Sequence, residues 1–329
     1  MALPPILQNL RIPVFGAPLF IVQNPDLVIA QCKAGVVGCF PALNAREAEG
    51  EPPLLDAWLT QIKEELDRHN QANPDTPAAP YSVNQIVHRS NVRLMRDMEI
   101  CVKHEVPITV TSLGAREEIY EACHSYGGIV LHDIINNDFA KKAISKGADG
   151  LIAVAAGAGG HAGAISPFAL IQEIREWFDG PLLCSGCIST GDGVLAAEAM
   201  GADLAYLGTA FIATEEANAH PEYKQMLVDC SSKDIIYSSL FTGVWGNYLK
   251  PSIERAGMDP DNLPESDPTK MDFSSGSSKP KSWKEIWGSG QGINAIKEVQ
   301  TTAALVDKLE QEYLAARGRL GLPMAKAAE

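Results

Sequence analysis

Eight short runs rich in valine, isoleucine and leucine recur along the chain, each separated from the next by a helix-like segment. The runs are IPVFGA, GVVGCF, YSVNQI, PITVTSL, GIVLHDI, GLIAVAA, PLLCSG and LAYLGTA. Between them the apolar residues follow a period near 3.6. Leu55, Trp58, Leu59, Ile62 and Leu66 share one helical face, as do Leu170, Ile171, Ile174, Trp177 and Phe178. Ser166 stands at the N-cap of the second of these helices, with Pro167 in its first turn. Glycines in KAG, SKGAD and AMGAD close helices just before the next strand. Strands apolar on both faces, each followed by a helix, imply a parallel sheet covered on both sides. Eight such units match a (β/α)8 TIM barrel. The competing doubly wound sheet would carry a nucleotide fingerprint after its first strand, and FGAPLF is not G-x-G-x-x-G.

After about Glu222 the pattern changes. Residues 228–292 include DPDNLPESDPTKMDFSSGSSKPKSW, dense in proline, serine and aspartate, which reads as an irregular excursion over the barrel. NAIKEVQTTAALVDKLEQEYLAARGRL then reads as a helix. The expected organisation is therefore a barrel over residues 1–227, a lid over 228–292, and a C-terminal helix in 293–329 that packs back on the barrel.

Composition narrows the function. Hydrophobic residues make up 46% of the chain, and no apolar run approaches the ~20 residues of a membrane-spanning helix. A formal charge of −14 disfavours nucleic acid and anionic membranes, and KPKSWK is the densest basic stretch. The opening residues do not join a basic stretch to an apolar one, and seven cysteines without scaffold spacing suit reduced thiols, so a cytoplasmic location is expected. Cys184 and Cys187 form a C-x-x-C that reads as small residues ending a buried strand. No histidine–cysteine cluster suggests a metal.

The run GLIAVAAGAGGHAGAISPF poses the central question, because Gly157, Gly159, Gly160 and Gly163 crowd around His161. Each glycine costs more backbone entropy on folding than alanine would, so something must approach this backbone closely. In a barrel, chemistry sits at the C-terminal strand ends, and a phosphate site commonly follows the last two strands. Strand seven runs into SGCISTGDG and strand eight into LGTAF. Bare N–H groups there, with the hydroxyls of Ser185, Ser189 and Thr209, would cradle an anion beside His161. The ligand is a phosphorylated molecule: flavin mononucleotide (FMN) or a phospho-sugar, which spacing alone does not separate.

GAPLF, YSVNQI, AGAGGHAG, LLCSGCISTGDGVLAAEAMGADLAYLGTAFIAT, AHPEYK and GSGQGI together resemble the nitronate monooxygenase family, formerly called 2-nitropropane dioxygenases. The resemblance implies an FMN-dependent TIM-barrel oxidoreductase, with FMN-containing enoyl reductases and NADH:quinone reductases as neighbours. It implies FMN held along Ala17, Pro18 and Leu19 and by Asn84. The phosphate falls to Gly159, Gly160, Gly186, Gly208 and Thr209, joined by Ser185 and Cys187, and His161 is the active-site histidine. The chain departs from the family pattern at four places. His132 stands where lysine is usual, Cys187 where glycine is commoner and Ala210 where arginine is common. Ala155 and Ala156 replace an acidic residue. His132, ending strand five, is counted with the cofactor-binding set, and His88 could line the substrate pocket or cap the next helix.

Three functions follow. The first is oxidation of alkyl nitronates by dioxygen to carbonyl compounds and nitrite, with His161 holding the nitro group or taking an α-proton. The second keeps the barrel and FMN but uses NAD(P)H to reduce an activated C=C bond or a quinone. The third is a non-redox isomerase or aldolase, which would want a lysine at a strand end. The expected partners are a small-molecule substrate and, at most, a second copy of the chain in a homodimer.

Overall fold

The computed structural model describes residues 3–46, 53–264 and 284–323. Its strands are β1 (Val14–Gly16), β2 (Gly38–Pro41), β3 (Tyr81–Ile86), β4 (Ile108–Ser112), β5 (Ile129–Ile134), β6 (Gly150–Val154), β7 (Gly160–His161), β8 (Leu182–Ser185), β9 (Leu204–Leu207), β10 (Ile235–Ser238) and β11 (Gly246–Leu249). Its helices are α1 (Pro25–Lys33), α2 (Leu54–Ala72), α3 (Leu94–Lys103), α4 (Glu117–His124), α5 (Asn137–Ser145), α6 (Pro167–Arg175), α7 (Gly191–Met200), α8 (Thr209–Ile212), α9 (Pro221–Asp229), α10 (Lys250–Arg255) and α11 (Thr302–Arg319).

Eight strands form one parallel sheet in the order β1-β9-β8-β6-β5-β4-β3-β2. A parallel bridge between Phe15 and Val37 joins its two edges, with Gly16 N–H donating to Val37 O at 2.8 Å. The sheet thus closes into a (β/α)8 barrel, and each of the eight apolar runs supplies one strand. Closure removes the exposed edges that an open sheet must protect. Phe15, Cys39, Val110, Leu131, Ile152, Leu183 and Leu204 fill the interior. Val130, Ile134, Leu151, Leu182 and Cys184 point the other way, against Ile119, Leu170 and Val194 of the surrounding helices.

The helices begin and end for local reasons. Asn24, Asn136, Thr190 and Thr301 cap α1, α5, α7 and α11 through side-chain oxygens. Ser166 occupies the N-cap of α6, but its hydroxyl makes no capping hydrogen bond. Leu55, Leu59, Ile62 and Leu66 of α2 are buried, the face expected from their spacing.

The C-terminal helix α11 lies across α7 with Leu305, Val306 and Leu309 buried. The approach is close enough that a Cβ on Gly191 would sit 2.1 Å from Tyr313 N and 2.2 Å from Leu309 O. Glu312 of α11 accepts from Gly191 N–H at 2.9 Å, placing a carboxylate at the positive end of α7. Between barrel and last helix, β10 and β11 form an antiparallel hairpin that pairs with β7. Most of the polar stretch, 265–283, lies outside the described residues. No helix among the described residues is long and apolar enough to cross a membrane.

Candidate active site

A cavity of about 1430 Å³ opens at the C-terminal ends of the barrel strands. Its wall contains Ala17, Pro18, Leu19, Asn84, His132, Gly159, Gly160, His161, Ser185, Gly186, Cys187, Gly208 and Thr209, whereas Gly157 of the glycine run does not line it. The volume exceeds the ~300–1,000 Å³ of an ordinary ligand pocket, so a nucleotide-sized cofactor and a substrate can share it.

The glycine run after β6 is approached first by the chain itself. Gly246 and Asn247 of β11 pair with His161 and Gly160, and Asn247 Nδ2 donates to Ala158 O at 2.7 Å. Segment 288–292 comes from the other side, with Gln291 N–H on Gly157 O at 2.9 Å. A Cβ on Gly159 would lie 2.7 Å from Gly290 N, and one on Gly157, where φ is +80°, would lie 2.1 Å from Cys187 Sγ. Gly290 N–H also reaches Thr209 Oγ1 at 2.9 Å. The loop is therefore clamped by the hairpin and by 288–292, a role the sequence did not separate from ligand contact. Because Glu312 already serves the first N–H of α7, the bare backbone facing the cavity comes from the turns after β8 and β9.

Cys187 has φ +59°, a left-handed conformation that explains why glycine is at home at this position. Its thiol is exposed and lies 3.7 Å from Ala156 O, and partial burial pushes its pKa up. Cys184 is buried in the helix-facing layer, and both thiols are free. No cluster among the described residues could hold a metal ion.

His161 is fixed from the β10–β11 hairpin. Its Nε2 lies 2.8 Å from Thr242 Oγ1, in the turn between β10 and β11. Burial pushes its pKa down to about 4, so the imidazole is neutral at pH 7.

His132 and Asp133 share the end of β5 but face opposite ways. His132 lies on the helix side, with Nδ1 2.7 Å from Thr111 Oγ1 and 3.0 Å from Tyr120 Oη, and burial lowers its pKa to about 4. Its neighbour Asp133 alternates with Leu131 of the barrel interior and so faces the mouth. Burial raises the Asp133 carboxyl to about 6, against hydrogen bonding from the Ser112 side chain and Leu113 N–H. Asn84 Nδ2 donates to Ser112 Oγ at 2.8 Å, tying β3 to the same group. Asp133, Ser112 and Thr242 were not singled out from the sequence. Alternation along β5 leaves open which of His132 and Asp133 faces the mouth, and nothing local marks Thr242.

His88 also lines the cavity, with Nδ1 2.9 Å from Ser90 Oγ, while the N-cap of α3 is Arg93. The outer rim is aromatic: Tyr237 and Trp245 stack at 5.0 Å, and Tyr237 Oη donates to Ala162 O at 2.8 Å.

A family model described as nitronate monooxygenase matches residues 7–312. The chain belongs to the nitronate monooxygenase family. It is accordingly an oxidoreductase. A nitronate monooxygenase from Paraburkholderia phytofirmans is 24% identical over 91% of this chain and 92% of its own. Among solved structures, a nitroalkane oxidase from Streptomyces ansochromogenes superposes with TM-score 0.77 at 22% identity, covering 96% of this chain and 99% of that one. FabK from Thermotoga maritima gives TM-score 0.76 at 21% identity, covering 96% of each chain. At these identities the two structures share the barrel with this member of the nitronate monooxygenase family.

Proposed function

We propose that the protein is an FMN-dependent enzyme that oxidises alkyl nitronates with dioxygen to carbonyl compounds and nitrite. The observation carrying this reading is that one cavity joins a bare backbone wall to a fixed, neutral His161. Gly208 supplies the fit test for the cofactor. Its φ is −116°, and an added Cβ would meet only Leu19 Cδ2 at 3.4 Å and Ala17 Cβ at 3.5 Å. The protein interior does not require glycine there, whereas a ligand resting on the wall does.

Gly186, Cys187, Gly208 and Thr209 would hold the phosphate through backbone N–H groups and the Thr209 hydroxyl. The N–H groups of Ala17 and Leu19 are committed to Leu207 O and Gln23 Oε1, so that segment offers apolar surface to the ring system. Asn84 would supply an amide edge. When bound, FMN would supply the redox chemistry between nitronate and dioxygen. His161 orients the nitro group, and the hairpin over the mouth limits entry of water.

The test is the absorbance of the purified protein, followed by nitrite release from several nitronates in air without nicotinamide. Flavin bands and nitrite support the reading. A colourless protein, or no nitrite from any nitronate, overturns it. The size of the cavity and the stacked Tyr237–Trp245 pair favour a second reading, in which NAD(P)H reduces FMN and a bulky activated alkene or quinone is the acceptor. Rapid anaerobic bleaching by NADH or NADPH would select it.

A further inference from the structure

Two apolar surfaces, from separate elements, meet the chain immediately after His161. The β10–β11 hairpin supplies the first, Tyr237 and Trp245, which stack at 5.0 Å and are both exposed. Hydrogen bonds seat this pair against the next residue. Ala162 N–H donates to Trp245 O at 3.0 Å, and Ala162 O accepts from Tyr237 Oη at 2.8 Å. The end of β5 supplies the second. Ile135 packs on Gly163, where an added Cβ would lie 3.0 Å from Ile135 Cβ. Phe139 extends that surface in the first turn of α5, its N–H donating to the Asn136 cap at 2.9 Å. Ile135 and Phe139 are exposed as well, and all four side chains line the cavity that contains His161.

Large apolar side chains gathered on one exposed rim mark a place where apolar matter binds. This rim is continuous with the cavity, so what covers it enters with the substrate. The residues proposed for the cofactor lie elsewhere. Its phosphate turns follow β8 and β9 and the 17–19 segment follows β1, whereas the rim is carried by the β5 end and the hairpin.

We propose that this rim binds an unbranched alkyl arm of the substrate, so that the enzyme selects longer-chain nitronates over that of nitroethane. The choice of nitronates rests on the reading above; the binding of an apolar arm does not. A nitro group oriented by His161 leaves its alkyl chain beside Ala162 and Gly163. Tyr237, Trp245 and Ile135 are then the first side chains it meets, and Phe139 the next. Each methylene that leaves water there should strengthen binding about fourfold. The two carbons of nitroethane give the rim little to hold.

The experiment has two arms. The first measures kcat/KM for nitrite release from the nitronates of nitroethane through 1-nitrohexane. The second measures, by calorimetry of the purified protein, the affinity of propionate through heptanoate. A carboxylate presents the same planar pair of anionic oxygens as a nitronate and is not oxidised, so this arm reads binding alone. Each series should strengthen about a hundredfold from its shortest member to its longest. Trp245→Ala and Ile135→Ala each remove one surface, and the main-chain pairing beneath Trp245 does not need its ring. With half the contact gone, either variant should cut the span to about tenfold. A flat series in either arm, or a span that neither variant reduces, overturns the proposal. So does a flat series from a dimer that Trp245→Ala dissociates in gel filtration, which would give the rim to a second copy of the chain. No nitrite from any nitronate, beside a carboxylate series that strengthens as stated, would retire the nitronate reading and keep the apolar arm.

Discussion

The Nε2 of His161 sits 2.8 Å from the hydroxyl of Thr242, so a barrel residue is held by a residue eighty-one positions later in the hairpin. Thr242 is itself fixed, since its Oγ1 lies 3.3 Å from Val244 N and 3.2 Å from Val244 O. The orientation of this imidazole is thus set outside the barrel.

Replacing Thr242 with valine keeps the shape and removes the hydroxyl. One such hydrogen bond is worth about 0.5–1.5 kcal/mol, so kcat/KM for a nitronate should fall up to about tenfold with flavin content retained. Nitrite release measured beside the visible absorbance of bound flavin checks both parts.

Gly157→Ala places a methyl against the Cys187 sulfur in a backbone with φ +80°. Strain and overpacking together should cost on the order of 2–3 kcal/mol and weaken cofactor retention. Adding Cys187→Gly removes the sulfur and should recover part of the loss, because the left-handed backbone remains. Thermal unfolding of the single and double variants measures the coupling.

Gly191→Ala drives a side chain into the backbone of α11, at Tyr313 N and Leu309 O. Neither atom belongs to a flexible side chain, so the helices must part. A loss of about 3 kcal/mol or more is expected, with Tm falling by several degrees and the C-terminal helix becoming susceptible to protease.

Acid should destabilise the fold between about pH 6.5 and pH 4. The folded pKa of His132 lies below its unfolded value, so in that window the unfolded chain binds a proton that the native state refuses, and stability falls as pH falls. The full effect of this one group is up to about 3 kcal/mol. His161 acts in the same direction. Asp133, raised to about 6, acts in the opposite one, binding its proton more readily in the folded state. His132→Asn keeps an acceptor for Thr111 and Tyr120 and should flatten the acid limb in denaturant titrations from pH 7 to pH 4.

The barrel was legible because its strands are buried on both faces and therefore read as continuous apolar runs. The same property hid which side chains look inward. In VLHDI either His132 or Asp133 could face the mouth, and only pairing with β4 and β6 fixes the parity. The glycine run was visible as a place of close approach, but Gly159 yields to Gly290 while Gly208 is left bare, and sequence does not say which neighbour arrives. The strand at Gly160 and His161 was not foreseen at all. Two residues carry no periodicity, and their extended state depends on a hairpin more than eighty residues away.

That small antiparallel sheet joins its parts through main-chain groups, which every residue except proline supplies. The rim residues Tyr237 and Trp245 can therefore be exchanged over evolutionary time while the seam beneath them stays sewn. A scaffold arranged this way can acquire new substrates by redecorating its doorway without retooling the hearth.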